Sequence, residues 1–287
     1  TIHPPKSSVV GTLQYLLPKE GYNIKFLFYY LLSVDFSKYI TGSTIPHIYY
    51  KDYKSEPFPL FSIKEQKRIV KKIDESFEKI DKAIENTKKN IENTKELFQS
   101  KLNEIFLNCK NNWIRDKLKE ITIFKSGKTI SKDIEKKVGE VLYVKVGDMN
   151  LEGNEYNINN STRFVDLRDI NQNQIILNGS VIFPKRGGAI ATNKKRKIVK
   201  PTIIDLNTMA VSPSNNLDSN YLFYWFQTID LNKLSNGTSI PQINNYSFDD
   251  IYINYPKLIS AQKEIVKELD KLSDHTKKLE STYNLKL

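Results

Sequence analysis

The chain has 287 residues, a formal net charge of +11 and a sequence pI near 9.3, so its folded surface should attract polyanions. Its single cysteine, Cys109, excludes an intrachain disulfide and suits a reducing cytoplasm, where we expect the protein to act. No stretch approaches the ~20 consecutive apolar residues of a transmembrane helix, which makes nucleic acid a better candidate partner than a membrane.

Residues 1–60 form a short first segment that is rich in proline and aromatic residues. Prolines divide it into small pieces, and the pattern predicts one helix from Ile24 to Val34. Because about sixty residues bury only a marginal core, we expect this segment to pack against something else.

Residues 62–108 carry a heptad pattern that glycine and proline do not interrupt. Steps of four and three residues separate the members of an apolar seam, and lysine and glutamate fill the positions between them. The seam is Val70, Ile73, Phe77, Ile80, Ile84, Thr87, Ile91, Thr94, Phe98 and Ile105. It predicts one helix, roughly 70 Å long at about 1.5 Å per residue, that would act as a spacer.

The C-terminus repeats this rhythm from Ala261 onward. Its seam is Ile265, Leu269, Leu272, Thr276, Leu279 and Tyr283. We expect the two helices to pair as a coiled coil, with the segment between them folded as a separate body. The alternative is that each helix lies only on its neighbouring globular domain.

The chain also contains one module twice, at an offset of 195 residues. The matching stretches are 27–30 with 222–225, 42–48 with 237–243 and, after one inserted residue, 66–74 with 262–270. Chance similarity does not usually keep register over such a length while also reproducing the start of a helix. We therefore interpret the N-terminal segment as a shortened first copy of the module.

The full copy runs from about Asn111 to Lys257. Runs rich in valine, isoleucine, tyrosine and phenylalanine, bounded by glycine and asparagine, predict strands at 120–124, 141–146, 174–177, 180–183, 197–204 and 208–212. A helix is predicted at 219–228. This order indicates a globular α+β domain with a curved sheet.

Signatures of catalysis are poor. Residues 126–129 resemble the end of a phosphate-binding loop, but Thr122 stands where that motif requires glycine. Glu135 and Lys137 have the spacing of a nuclease motif without an acidic partner upstream. The three histidines lie far apart in the sequence, so we expect no metal site on this chain.

A binding signal is stronger between Lys185 and Lys200, a stretch with many cations and no acidic residue. Gly187 and Gly188 in the same run would let the backbone approach a partner closely. Such a loop suits contacts to DNA phosphates. The alternative is a solvated hairpin.

Two polar loops add to this signal. Lys128 and Thr129 form a small one, and residues 236–242 form another, in which Gln242 has the amide that can bond an adenine edge in the major groove. The second loop recurs at 42–48, which equally fits a purely structural role. The candidate DNA contacts are Lys128, Thr129, Lys185, Arg186, Lys194, Lys195, Arg196, Lys197, Thr238, Ser239 and Gln242.

The repeated order of these motifs resembles the DNA-specificity subunit of type I restriction-modification enzymes. The order is a domain opening with Trp113 and Leu118, a strand at 179–182, an aromatic helix, the loop at 237–241 and a coiled-coil helix starting at Gln262. The resemblance covers nearly the whole chain.

This resemblance implies a subunit without catalytic activity and without a cofactor of its own. Residues 1–60 would be the end of a first target-recognition domain, 61–109 a central helix, 110–257 a second recognition domain and 258–287 a distal helix antiparallel to the central one. The implied partners are double-stranded DNA, methyltransferase subunits that use S-adenosylmethionine and motor-nuclease subunits that use ATP and Mg. The shortened first domain adds a possible second specificity chain.

Two other hypotheses remain. The chain would be a stand-alone coiled-coil DNA-binding protein or repressor if it never associates with an adenine methyltransferase. It would be a nuclease or methyltransferase itself if the pure chain acts on DNA and Glu135→Ala or Lys137→Ala abolishes that activity.

Overall fold

The computed structural model describes residues 1–4, 7–8, 10–11, 13–42, 45–107, 113–237 and 239–284, with backbone only at 280 and 282–284. The chain divides into two compact units, residues 1–89 and 90–287. The helices are α1 Ile24–Ser33, α2 Tyr50–Tyr53, α3 Ile63–Leu107, α4 Ser219–Gln227, α5 Leu231–Leu234 and α6 Ile259–Asn284. Cys109 and the junction around it lie outside the described residues.

The first unit holds α1, α2 and the start of α3. The predicted first helix is confirmed, and it begins where the Asn23 side chain accepts hydrogen bonds from the backbone N–H groups of Lys25 and Phe26 at 2.9 and 3.1 Å. As expected, this segment packs against another element, since the Tyr29 ring stacks on Phe77 of α3 at 5.7 Å.

The long helix predicted from the heptads is confirmed as α3, which runs unbroken for 45 residues. Its seam is covered unevenly. Phe77 and Ile80 are 46% and 51% exposed, whereas Leu102 and Phe106, which the heptad register left off the seam, are buried in the core of the second unit. The C-terminal end of α3 therefore buries a wider face than a two-helix seam does.

Helix α4 explains this wider face. The Phe98 and Phe106 rings of α3 contact Tyr224 and Tyr221 of α4 edge to face, at 6.4 and 5.2 Å between ring centroids. The end of α3 thus lies on the globular domain, as the alternative predicts.

Helix α6 also packs on α4, and this changes its seam. Ser273 is buried and Leu272 is 38% exposed, so the predicted seam is wrong at this step. The reason is that α6 turns Asp270 and Ser273 towards α4, where Asp270 accepts a hydrogen bond from the Tyr224 hydroxyl at 2.6 Å. Pairing of α3 with α6 along their length stays a prediction, and the side chain of Tyr283 lies outside the described residues.

The second unit contains ten described strands in three sheets, which confirms the α+β class with curved sheets. They are β1 Trp113–Lys117, β2 Thr122–Ser126, β3 Val141–Val144, β4 Asn157–Ile158, β5 Phe164–Val165, β6 Val181–Pro184, β7 Arg196–Ile198, β8 Thr202–Ile204, β9 Thr208–Pro213 and β10 Tyr252–Pro256. The sheet orders are β1-β10, β2-β9-β6-β7-β4 and β5-β3-β8. Helix α4 covers the five-stranded sheet, with Phe226 stacked on Phe183 at 5.7 Å.

Two strand predictions differ from the structure. The stretch 174–177 forms one isolated bridge at Ile176 and no strand. The predicted strand at 197–204 is split into β7 and β8, which belong to different sheets, because the chain turns at Lys200 and Pro201 and proline cannot donate to a ladder.

The internal repeat is visible in the hydrogen bonding. Gln66 and Gln262, aligned in the two copies, are both 0% exposed. Each accepts a hydrogen bond from the N–H of the residue that caps a helix, Asn23 before α1 at 2.8 Å and Asp218 before α4 at 2.7 Å. Each also donates to two backbone carbonyl oxygens. The same glutamine thus ties the same helix start in both units.

Candidate nucleic-acid interface

The C-terminal ends of β2 and β6 lie at the same end of the five-stranded sheet, and we call this end the sheet edge. Strand β9 lies between them and is antiparallel to both, so β2 and β6 run parallel to each other. The loops that follow Ser126 and Pro184 therefore leave the sheet at the same edge. Fifty-eight residues of sequence separate these two positions, and only the strand order brings them together.

The loop after β2 lies against the turn between β8 and β9. The N–H of Gly127 donates to the carbonyl oxygen of Thr208 and the N–H of Lys128 to that of Ile204, both at 3.1 Å. A Cβ atom at position 127 would lie 1.9 Å from the carbonyl oxygen of Asp205, so only glycine fits there. Lys128 is exposed beside this contact.

The loop after β6 contacts both neighbouring loops. The Lys185 ammonium donates to the Ser126 hydroxyl at 3.0 Å. Gly187, with φ of +71°, turns the chain so that its N–H donates to the carbonyl oxygen of Pro241 at 2.8 Å. The N–H of Ile243 donates back to the carbonyl oxygen of Lys185 at 2.9 Å.

We call residues 126–129, 185–188 and 236–244 the three-loop surface. It contains three cations, Lys128, Lys185 and Arg186, and no acidic residue. Burial and the neighbouring Arg186 guanidinium both lower the pKa of Lys185. Of the other predicted contacts, Thr129 and Ser239 are exposed on this surface, and Thr238 lies outside the described residues.

The remaining predicted cations, at 194–197, are buried or half-buried and are hydrogen-bonded to other groups of the domain. Lys195 is only 3% exposed, and its ammonium donates to the carbonyl oxygen of Ile229 at 2.5 Å and to the Asn193 side chain at 2.8 Å. A buried ammonium cannot reach a phosphate. We therefore correct the expectation for Lys195 and assign it to the structure of the domain.

Its neighbours Lys194, Arg196 and Lys197 are half-buried. Arg196 donates to two backbone carbonyl oxygens, while Lys194 and Lys197 donate to asparagine side chains. Arg196 and Lys197 belong to strand β7, which lies inside the five-stranded sheet between β6 and β4 and is covered on both sides by neighbouring strands. The sequence pattern had indicated a loop for Lys194 and Arg196, and it placed Lys197 both in that loop and at the start of a predicted strand.

Burial lowers the pKa of Lys195 to about 8, although Asp230 partly opposes this shift. Between about pH 8 and the unfolded pKa near 10.5 the unfolded chain binds more protons, so this group should make the free energy of unfolding rise with pH. Lys195→Met should reduce that rise, as measured by urea denaturation at pH 8 and pH 10. An equal rise in both proteins would contradict the prediction, and Lys194→Met provides the half-buried control.

A model of the family described as type I restriction modification DNA specificity domain matches residues 3–93 and 110–287. The chain belongs to this family. The two matched ranges each contain one copy of the repeated module. No curated protein matches the chain by sequence.

Two solved structures are similar to this specificity domain. One is a chain from a structure entitled "Structural basis underlying complex assembly and conformational transition of the type I R-M system", with 18% identity and a TM-score of 0.70, covering 91% of this chain and 63% of that one. The other is the HsdS subunit from Thermoanaerobacter tengcongensis, with 18% identity and a TM-score of 0.60, covering 90% and 64%. The chain spans less than two thirds of either, and the likeness establishes its fold.

The weak catalytic signals have structural explanations in this specificity domain. The Glu135 carboxylate is paired with Lys145 at 3.1 Å and with Arg163 at 2.8 Å, while Lys137 is exposed. Among the described residues no group of histidine, cysteine and acidic side chains could hold a metal ion. Within the same residues no helix combines the length and apolarity needed to span a membrane.

Sequence reasoning missed Asn244 at the three-loop surface and Tyr246 beside it. The Gln242 amide donates to Asn244 at 2.8 Å, and the Asn244 amide donates to the hydroxyl of Tyr246, just beyond this surface, at 2.9 Å. The available signal was their position directly after the repeated loop.

Proposed function

We propose that the chain is a non-catalytic DNA-recognition subunit that directs a type I restriction-modification complex to its target for adenine methylation and ATP-dependent restriction. The three-loop surface is the observation that supports this proposal. The chain that carries it belongs to the specificity family. Three polar segments that are distant in sequence meet there with a net positive charge, which suits DNA phosphates and base edges.

The partners and cofactors follow from this role. Methyltransferase subunits would supply S-adenosylmethionine, and motor-nuclease subunits would supply ATP and Mg, while this chain contacts double-stranded DNA and acts in the cytoplasm. We keep the four segments 1–60, 61–109, 110–257 and 258–287 as the proposed division into recognition domains and helices. Failure to co-purify with an adenine methyltransferase would favour a stand-alone DNA-binding protein instead.

A second specificity chain is supported by the apolar surface of the first unit. Leu60 is 82% exposed. Leu13 and Leu17 add further exposed apolar area, at 59% and 75%. Co-purification of two differently tagged copies would support this partner, and its absence at high concentration would exclude it.

The proposed DNA contact can be tested by its salt dependence. Lys128→Ala combined with Lys185→Ala should weaken binding about equally across duplex sequences. It should also lower the slope of log affinity against log salt by about 1 for each phosphate that the protein no longer neutralises. Filter binding or anisotropy on duplex DNA between low and moderate salt gives the slope.

The matched control replaces two exposed lysines outside this surface, Lys119 and Lys263, with alanine. Removing these two lysines lowers the overall positive charge but removes no proposed phosphate contact. We therefore expect that variant to keep a slope close to that of the wild type. Equal slopes for both double variants would mean that the three-loop surface does not contact the phosphates.

A further inference from the structure

One cation of the three-loop surface, Arg186, is held by an ordered chain of side-chain amides. An antiparallel β-bridge sets Arg186 beside Gln242. The guanidinium donates to Oε1 of Gln242 at 3.4 Å, and Nε2 of Gln242 donates to the Asn244 side chain at 2.8 Å. The Asn244 amide in turn donates to the Tyr246 hydroxyl at 2.9 Å.

Gln242 is engaged at both ends of its amide by these contacts. Its backbone N–H also donates to the Asn236 side chain at 2.9 Å. An adenine edge needs a free donor and a free acceptor on the same amide. The contacts to Arg186 and Asn244 use one of the two lone pairs and one of the two N–H donors of the amide. Together they fix the amide plane of a half-buried side chain, so Gln242 is poorly placed to turn towards a base edge.

Arg186 has the opposite character. Its side chain is exposed, and the contact with Gln242 orients the guanidinium while engaging one of its five N–H donors. The planar fork of a guanidinium matches the O6 and N7 acceptors of guanine in the major groove. Lys185 lies beside it, tied to Ser126, at the edge of the sheet where phosphates would be bound.

We propose that Arg186 reads a guanine in the major groove and that Gln242 is the positioning residue that orients it. This inference rests on the proposed function. It replaces the sequence-based hypothesis that Gln242 itself reads adenine.

The test is selection of bound duplexes from a random-sequence pool by the full chain, followed by sequencing of the recovered DNA. The wild type should enrich a motif that contains a guanine. In Arg186→Ala and Arg186→Lys the preference for guanine at one position should fall about tenfold or more, while the other positions of the motif persist. Arg168→Ala, which removes an arginine side chain that is 80% exposed, is the matched control and should leave every position unchanged.

Gln242 is tested with two variants. Gln242→Ala should reduce the same guanine preference. It should lower the thermal unfolding midpoint less than Gln262→Ala does, because Gln262 is fully buried and Gln242 is half-buried. Gln242→Glu keeps an acceptor for the guanidinium and should restore the preference. If Gln242 only stabilised the fold, the guanine preference would not be lost when the side-chain acceptor is removed in Gln242→Ala and regained when it is present in Gln242→Glu.

The outcomes separate the two proposals. If the wild-type chain enriches no sequence, both the proposed function and this inference are contradicted. A wild-type motif that survives intact in Arg186→Ala or Arg186→Lys overturns the inference alone. So does a guanine preference that Gln242→Ala leaves unchanged.

Discussion

Gln262→Ala should lower the free energy of unfolding of the second unit by about 3 kcal/mol or more. The fully buried Gln262 side chain accepts from the N–H of Asp218 at 2.7 Å and donates to the carbonyl oxygens of Pro256 and Asn216 at 2.9 and 3.0 Å. Removing it leaves three backbone polar groups without these partners, and each such group costs about 1–3 kcal/mol when water cannot replace the amide.

Urea denaturation followed by tryptophan fluorescence measures this change, since both tryptophans, Trp113 and Trp225, belong to the second unit. Lys263→Ala, at the exposed neighbouring position, should change the free energy by no more than about 0.5 kcal/mol. Gln262→Glu should also destabilise, because a carboxylate cannot donate to the two carbonyl oxygens. A decrease below about 1 kcal/mol in Gln262→Ala would mean that water replaces the amide.

Gly127→Ala should destabilise the second unit by about 3 kcal/mol and weaken DNA binding with it. The new Cβ would lie 1.9 Å from the Asp205 carbonyl oxygen and 2.4 Å from that of Ile204, and both are backbone atoms that cannot rotate away. The loop carrying Lys128 must therefore move off the sheet edge.

Gly147→Ala is the control for this prediction, because a Cβ at position 147 meets nothing within 4 Å and the position lies outside the three-loop surface. It should leave both the urea midpoint and the affinity for duplex DNA close to wild type. Equal behaviour of the two alanine variants would show that the 126–129 loop yields at little cost and that its position is not required for binding.

The helices were predictable because their signal is local. The heptads marked α3 as one helix, and the start of α6 was visible from the repeat. Their buried faces were less predictable. The choice between Leu272 and Ser273 as the buried residue depends on α4, a helix that the periodicity of α6 does not encode.

The strands were harder to predict for a related reason. Strand β1 carries charged residues, and it pairs with β10 from the far end of the domain. Strands β4 and β5 have two residues each, too short for an alternating pattern. In each case the partner strand, and not the local composition, makes the segment a strand.

The candidate site contains some features that the local sequence shows and others that depend on distant residues. The charge of Lys185 and Arg186 and the glycines after them were legible in the sequence. The same criterion also selected Lys195, which is buried, because a run of cations does not reveal which of its members point into the domain. The role proposed for Gln242 depends on its contact with Arg186, fifty-six residues away.

The sequence by itself determined the long helix, the duplicated module and the excess of positive charge, since periodicity, self-similarity and composition are properties of the linear chain. Only the tertiary structure decided which cations face outward and which residues meet at the sheet edge. The antiparallel placement of β9 between β2 and β6 aligns their ends, and no local pattern in either strand records that pairing.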